Sequence, residues 1–577
     1  MSASSNPTLH AFFEAAYEER IARSPQTLTT LGIKRSQDRL DDYSDAARQE
    51  ECRLVEDHLA RLKAFDPAKL DEEDRLSHDL FASEAQQFIE AHAFRHNHYL
   101  VNQKFGLHSD FPAFMINMHR IDSIEDAQDY IARLHAFDVA CTQVIGELER
   151  RESMGVIPPE FLFEQMIGDC RAFIGADKAN AATQENPLYR DFQDKLERLG
   201  SLATDQQAEL LTKAEYALEQ AVLPAYARLA RFLEEQQKHA PEQGGSWSLP
   251  DGETFYAHCL RSETTTPLTA EEVHQLGQQE MARIHKELAT LQPVLGIRGE
   301  LTDLLEHARV APSFYYPQTP EGRTAYLKDL QTPIDRMAER LPTLFTRLPE
   351  DALLVKPVEP HREKTAGLAF YQVPASDGSR PGIFHINLHD MGQLPSYITE
   401  ALAFHEALPG HHMQFAIANR LHELPAFRRA AWYNAYIEGW GLYAEQIAWE
   451  IGAYTGPWDD FGRLVQELKR ACRLVVDTGI HAYRWTRDQA IEYLHDNVPV
   501  SRAQATMEVD RYIVMPAQAT SYKVGMAELL KLRSHAQETL GARFDLRLFH
   551  DELLRHGALP LDILERQVDR WIGLQRR

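Results

Sequence analysis

A histidine and a glutamate stand side by side at 405 and 406, within Ala401-Leu-Ala-Phe-His-Glu-Ala-Leu-Pro-Gly-His-His-Met-Gln-Phe. The apolar flank predicts a buried helix, and a buried His-Glu pair needs partners to offset its desolvation. On a helix, a second histidine four residues after the first shares its face. The pair then holds Zn²⁺ jointly while the intervening Glu acts as general base toward the attacking water. Here that fourth position is Pro409, which cannot donate a helix hydrogen bond and clashes with the preceding turn. Two repairs are open. Seven residues turn about 700°, so His412 aligns with His405 on an unbroken helix. If Pro409-Gly410 instead bulges out as a two-residue insertion, His411 takes the i+4 place. Gly410 loosens the chain there, and His411 is the preferred ligand, with His412 the alternative.

Two histidines leave a catalytic zinc one protein ligand short, and a His₂Glu site takes a glutamate from a second helix. Tyr436-Ile-Glu-Gly-Trp-Gly-Leu-Tyr-Ala-Glu supplies it. Glu438 follows His411 by 27 residues, enough for a helix, a turn and an antiparallel return. Gly439 and Gly441 allow close packing on the first helix. Glu445, two turns on, is placed either to orient a ligand histidine or to form a structural ion pair.

Around these segments most of the chain reads as helix, with periodic apolar faces at 45–62, 68–95, 125–150, 188–199 and 205–236. Pro224 predicts a kink or restart in the last of these. A Pro- and Gly-rich stretch from Lys238 to Gly252 reads as a linker, and Thr269 with Glu272 forms a capping box before a helix over about 270–292. Residues 351–390 differ. Ala366–Pro374 is partly β-like, Ser376–Gly382 is a turn cluster, and Ile383–His389 alternates as a strand does. The expected fold class is therefore mainly α, with a small β-sheet beside the metal-binding helix. The length of 577 residues suggests about three to five domains. Convergence of residues 383–523 on one metal reduces that count. It leaves an N-terminal helical region, 1–240, walling a channel, and a zinc-binding region, 250–577, the two forming one unit or two.

The net charge of −25, from 61 basic and 86 acidic side chains, disfavours nucleic acid and anionic membrane surfaces as partners. No run of 18 apolar residues is present to span a bilayer. The five cysteines are odd in number and contain no C-x-x-C pair, which fits reduced thiols. The first residues show no signal-peptide pattern, so the expected location is cytoplasmic, with an exported, processed form as the alternative.

The combination of His405-Glu-Ala-Leu-Pro-Gly-His-His-Met-Gln with Glu438-Gly-Trp-Gly-Leu-Tyr resembles the domain-of-unknown-function 885 family of bacterial zinc metallopeptidases. The resemblance extends through Asp477-Thr-Gly-Ile-His-Ala-Tyr-Arg-Trp-Thr-Arg and Pro516-Ala-Gln-Ala-Thr-Ser-Tyr-Lys-Val-Gly, and covers about residues 100–575. The family motif ends at the first histidine of the pair, which supports His411. The resemblance implies a helical fold similar to that of the gluzincins, the group of the angiotensin-converting enzyme, with the metal in a deep channel that admits short peptides. It implies that His481 and Tyr522, with Tyr512 as substitute, stabilise the oxyanion of the tetrahedral intermediate. Members often carry an export signal.

The expected function is therefore hydrolysis of short peptides by a Glu406-activated water at one Zn²⁺ held by His405, His411 and Glu438. An exposed edge of the 383–389 strand would align the peptide backbone, with Asn387 bonding to it. Arg484, Arg511 or Lys523 would clamp a substrate α-carboxylate, which would make the enzyme a carboxypeptidase or dipeptidase. The rival readings are a zinc hydrolase of a non-peptide amide or ester, a non-catalytic zinc-binding protein, and a metal-free helical scaffold. Oligomeric state is not legible.

Overall fold

A computed structural model describes residues 7–175, 183–200, 202–359, 363, 367–374 and 380–576. The chain divides into two compact units, Met1–Gly244 with Ser248–Asp251, and Gly245–Trp247 with Gly252–Arg577. The fold is mainly α-helical with one three-stranded sheet.

The first unit is all helix among its described residues. Its long helices start where a short polar side chain satisfies an orphan backbone N–H. Ser44 accepts from Ala47 N ahead of Asp45–Leu62, Asp71 from Asp74 N ahead of Glu72–His92, and Ser123 from Asp126 N ahead of Ile124–Ser153. Apolar faces of the unit's helices meet in two ring clusters, Phe12, Phe13 and Phe81, and Phe111, Phe137 and Tyr226. Each buried ring stabilises the unit by about 1.5–3 kcal/mol relative to exposure. Around Pro224 the chain stays helical but widens. Residues Leu218–Val222 form a π-helical turn, and Pro224 sits in the first turn of Leu223–Gln237, where its missing N–H costs least.

In the second unit, Thr269 and Glu272 exchange the reciprocal bonds of a capping box, and Ala270–Leu291 follows. This helix packs along Pro457–His481, a long and largely buried helix. The second large pairing sets Asn434–Glu450 against Ser521–Leu540. Gly439 lies at that second pairing, facing Gly525, so only Gly441 of the two expected glycines serves the His405 helix.

The sheet has the order β1-β3-β2, with β1 Leu353–Pro357, β2 Ala369–Gln372 and β3 Gly382–Ile386. β1 runs parallel to β3, with Leu353 beside Gly382, and β2 runs antiparallel, with Phe370 beside His385. The strand expected at 383–389 is therefore the central one. Its five residues are all buried, and its hydrogen-bonding edges are taken by β1 and β2. It cannot pair with a substrate backbone, which corrects that expectation. β2 packs beside Thr399–Glu406, so the sheet stands next to the helix that carries His405.

Candidate metal centre

The His-Glu helix, Thr399–Glu406, ends where Pro409 forbids its continuation. Residues 407–410 form a turn, and a second helix, His411–Ala418, begins at His411. The interruption is thus larger than a two-residue bulge: the chain stops one helix and starts another. Two contacts hold the turn. Trp440 Nε1 donates to Pro409 O at 3.0 Å. Gly410 sits so close to the end of the first helix that a Cβ would fall 1.8 Å from His405 O, so any side chain there would displace the ligand helix.

This turn brings His405, His411 and Glu438 together, one ligand atom of each lying within 4.8 Å of the others. His405 Nε2 and His411 Nε2 are each 3.4 Å from Glu438 Oε2. That spacing is long for N–H···O hydrogen bonds. It suits a tetrahedral ion instead, because zinc bonds of about 2.0–2.1 Å put neighbouring ligands about 3.3–3.4 Å apart. Glu445 Oε1 accepts from His405 Nδ1 at 2.8 Å, which leaves the Nε2 lone pair for the centre. Burial alone would lower the His405 pKa. Glu438 and Glu445 override it and raise the imidazole to about 9 while no ion is bound. Burial likewise opposes ionisation of Glu438, but the two imidazoles beside it, His405 and His411, hold its carboxyl well below the usual range.

His412 lies outside the centre. Its Nε2–H donates to Asp351 O at 3.1 Å and its Nδ1 accepts from the Tyr371 hydroxyl at 2.8 Å. With both nitrogens committed, and burial lowering its pKa to about 4, it is a neutral structural residue that ties the helix to β2.

Glu406 follows His405 directly and is 8% exposed. Its Oε2 is buried without a hydrogen-bond partner. Burial raises its pKa, against the pull of His411 and His405. A buried acceptor without a donor costs free energy and marks a group held ready for something else. Tyr522 opens the Ser521–Leu540 helix, and its hydroxyl makes no hydrogen bond among the described residues. Burial, and then the charge of Glu438, push it up to about 12, so it stays a donor at neutral pH.

The other expected site residues are placed differently. His481 is buried at the end of Pro457–His481. Its Nε2–H donates to Tyr512 O at 2.9 Å, and its Nδ1 accepts from Ser246 N at 3.0 Å. It has no free N–H for an oxyanion, so it is a structural hub that burial keeps neutral, with a pKa near 4. Tyr512 donates to Glu508 at 2.6 Å and accepts from Arg473, so it does not replace Tyr522. Asn387 donates to Glu363 O at 2.7 Å and accepts from His389 N at 3.0 Å; its amide is spent on the chain itself. Lys523 lies between Glu467 at 2.6 Å and Glu280 at 2.8 Å, which neutralises it as an anion clamp. Arg484 is exposed, adopts φ +58°, and places its guanidinium 5.4 Å from the ring of Trp247. Arg511 bonds Glu508 at 2.8 Å and also Gln518. Motif reading did not single out Trp440, which holds the 407–410 turn, or the buried Arg470, whose charge acts on Glu406.

A second group of potential ligands, Asp45, His96 and Glu147, lies buried in the first unit. Arg95 bonds Asp45 at 2.7 Å, and Arg151 and Arg48 bond Glu147 at 2.9 and 3.4 Å. The carboxylates are already neutralised, so this is an ion-pair network.

Among the described residues no helix is long and apolar enough to cross a membrane. No curated protein matches the chain. A solved structure of a protein described as a "putative lipoprotein" from Colwellia psychrerythraea is 31% identical, with TM-score 0.91, covering 98% of this chain and 99% of that one. A second, described as a "putative lipoprotein of unknown function" from Shewanella oneidensis, is 18% identical with TM-score 0.75, over 98% and 99% of the two chains, and shares the fold. The family model described as "Bacterial protein of unknown function (DUF885)" matches residues 25–568. The chain therefore belongs to the domain-of-unknown-function 885 family.

Proposed function

We propose that this protein is a zinc-dependent peptidase acting on short peptides. The observation that carries the reading is the convergence of two imidazole nitrogens, each 3.4 Å from one carboxylate oxygen, beside Glu406, whose buried Oε2 has no partner. His405, His411 and Glu438 would hold one Zn²⁺, and Glu445 would fix the His405 tautomer. Zinc bound there supplies a Lewis acid and lowers the pKa of water. Glu406 takes a proton from the attacking water and passes it to the leaving amine, a task suited to a carboxylate whose basicity burial raises. Tyr522 donates its free hydroxyl to the oxyanion.

Three protein donors leave a tetrahedral ion one open position, which favours catalysis over a closed structural site. Elemental analysis of the purified protein should find one zinc per chain. A peptide library followed by mass spectrometry should show cleavage that a chelator abolishes. Glu406→Gln should keep the zinc and lose the cleavage. Zinc retention with undiminished hydrolysis in that variant would sink the mechanism. Cleavage of amide or ester panels but no peptide would support the non-peptide alternative. The lipoprotein descriptions of the two solved relatives make an exported form the alternative to a cytoplasmic one, and cell fractionation separates them.

A further inference from the structure

Opposite Glu406, the Pro457–His481 helix carries a run of cations with too few anions. Lys469, Arg473 and Arg511 all pair with one carboxylate, Glu508, at 3.2, 3.2 and 2.8 Å. Arg470 pairs with none among the described residues. It is 8% exposed, its Nε is buried without a partner, and its one side-chain hydrogen-bond partner is the neutral Gln466. Arg473 Nη1 is also buried without a partner. Three buried or half-buried cations thus share one carboxylate, and a fourth, Arg470, has no anion of its own among the described residues. Buried charge is expensive unless paired, and the two orphaned guanidinium donors mark where an anion is missing.

One of these groups touches the proposed oxyanion donor, Tyr522. The Arg473 guanidinium lies 4.5 Å from the Tyr522 ring centroid. Arg470 shares its helix face at i,i+3, and its charge reaches both Glu406 and Tyr522 through space. On the neighbouring face of the same helix, Gln466 and Lys469 line a cavity of about 250 Å³, with Tyr397 and Gln504 on its other walls. Of the cluster, Lys469 is the cation that borders this space.

We propose that Arg470 and Arg473 form a carboxylate subsite that takes the free C-terminal carboxylate of the peptide substrate. The inference rests on the peptidase reading for its substrate class. A planar guanidinium with free N–H groups suits a carboxylate, and two such groups set its orientation. The enzyme is then exo-acting, and the subsite replaces Arg484 and Lys523 as the determinant of that preference.

Isothermal titration of the Glu406→Gln protein with N-acetyl-alanyl-alanine, and with the same peptide as its C-terminal amide, tests this directly. The free acid should bind at least tenfold more tightly. Adding Arg470→Met should shrink the gap to under twofold, and Arg470→Lys should restore part of it. Equal binding of acid and amide overturns the subsite without any arginine variant, so the test does not depend on Arg470→Met folding. A gap that survives Arg470→Met in a folded protein also overturns it. The wild-type enzyme separates this failure from that of the peptidase reading. Equal cleavage of acid and amide overturns the subsite and leaves the peptidase. If neither is cleaved, the peptidase reading fails, and a tenfold binding gap still upholds the subsite.

Discussion

Glu445 Oε1 accepts a hydrogen bond from His405 Nδ1 at 2.8 Å, and this turns His405 Nε2 toward Glu438, 3.4 Å away. Both partners are buried, so the imidazole has one orientation and one tautomer. Replacing Glu445 by Gln keeps the shape and removes the charge that stiffens and strengthens the ligand. Zinc affinity should fall by about 10–100-fold, read by competition with a fluorescent chelator. Unchanged affinity would mean that Glu445 serves only the fold.

Gly441 approaches the same ring from the other side. A Cβ there would lie 2.6 Å from His405 Cε1, and the ring is pinned by Glu445, so it cannot step aside. Gly441→Ala should therefore destabilise the protein by about 1–3 kcal/mol, the usual cost of overpacking. It should also weaken zinc binding although no ligand has been altered. Gly573→Ala is the control, because nothing lies within 4 Å of its added Cβ. Thermal melts and chelator titrations of the two variants should diverge; identical behaviour would refute the packing argument.

What the sequence makes legible here is chemistry written on short stretches of helix. His405, Glu406, His411 and Glu438 follow from helical spacing and from what proline does to a helix, and the Thr269–Glu272 box follows from capping preference. Less legible is whatever depends on a partner far along the chain. Lys523 looks like a free cation until Glu280 and Glu467 are beside it. Asn387 looks like a backbone binder until Glu363 takes its amide. β1 alternates half-buried Leu353 and Val355 with exposed Leu354 and Lys356, but its sequence Leu-Leu-Val-Lys-Pro does not alternate, and its place depends on parallel pairing with β3. Edge and centre in a sheet are properties of the assembled sheet, so 383–389 reads as a strand while its edge status stays hidden.

Tyr522 and His481 were expected to share one task, and their hydrogen bonding separates them. The Tyr522 hydroxyl makes no hydrogen bond among the described residues, so Tyr522→Phe removes none of their bonds. It should leave the melting temperature and zinc content unchanged and lower kcat by about 10²–10³-fold, as loss of one oxyanion donor does. His481→Ala removes bonds to Tyr512 O and Ser246 N from the core, so it should chiefly lower the melting temperature. Steady-state kinetics and melts on both variants check the division. Comparable kcat losses in two equally stable variants would restore His481 to the mechanism.

Asp477 carries a pH dependence that the proposed chemistry does not use. It is fully buried; its Oδ1 accepts from Tyr256 at 2.6 Å and from Ala517 N at 3.1 Å, and its Oδ2 has no partner. Burial raises its pKa from 3.8 to about 7, outweighing those two bonds. Below the unfolded value the carboxyl is protonated in both states and costs nothing. Between about pH 4 and pH 7 the unfolded chain releases a proton that the folded chain keeps, so stability falls as pH rises, and the loss is complete above about pH 7. A shift of this size corresponds to a loss on the order of 4 kcal/mol. Asp477→Asn cannot ionise and keeps an acceptor for Tyr256 and Ala517. Its unfolding free energy should match the wild type near pH 4 and exceed it increasingly up to about pH 7.5, read by urea denaturation across that range. A difference between the two proteins that does not change with pH would show that Asp477 ionises normally in the fold.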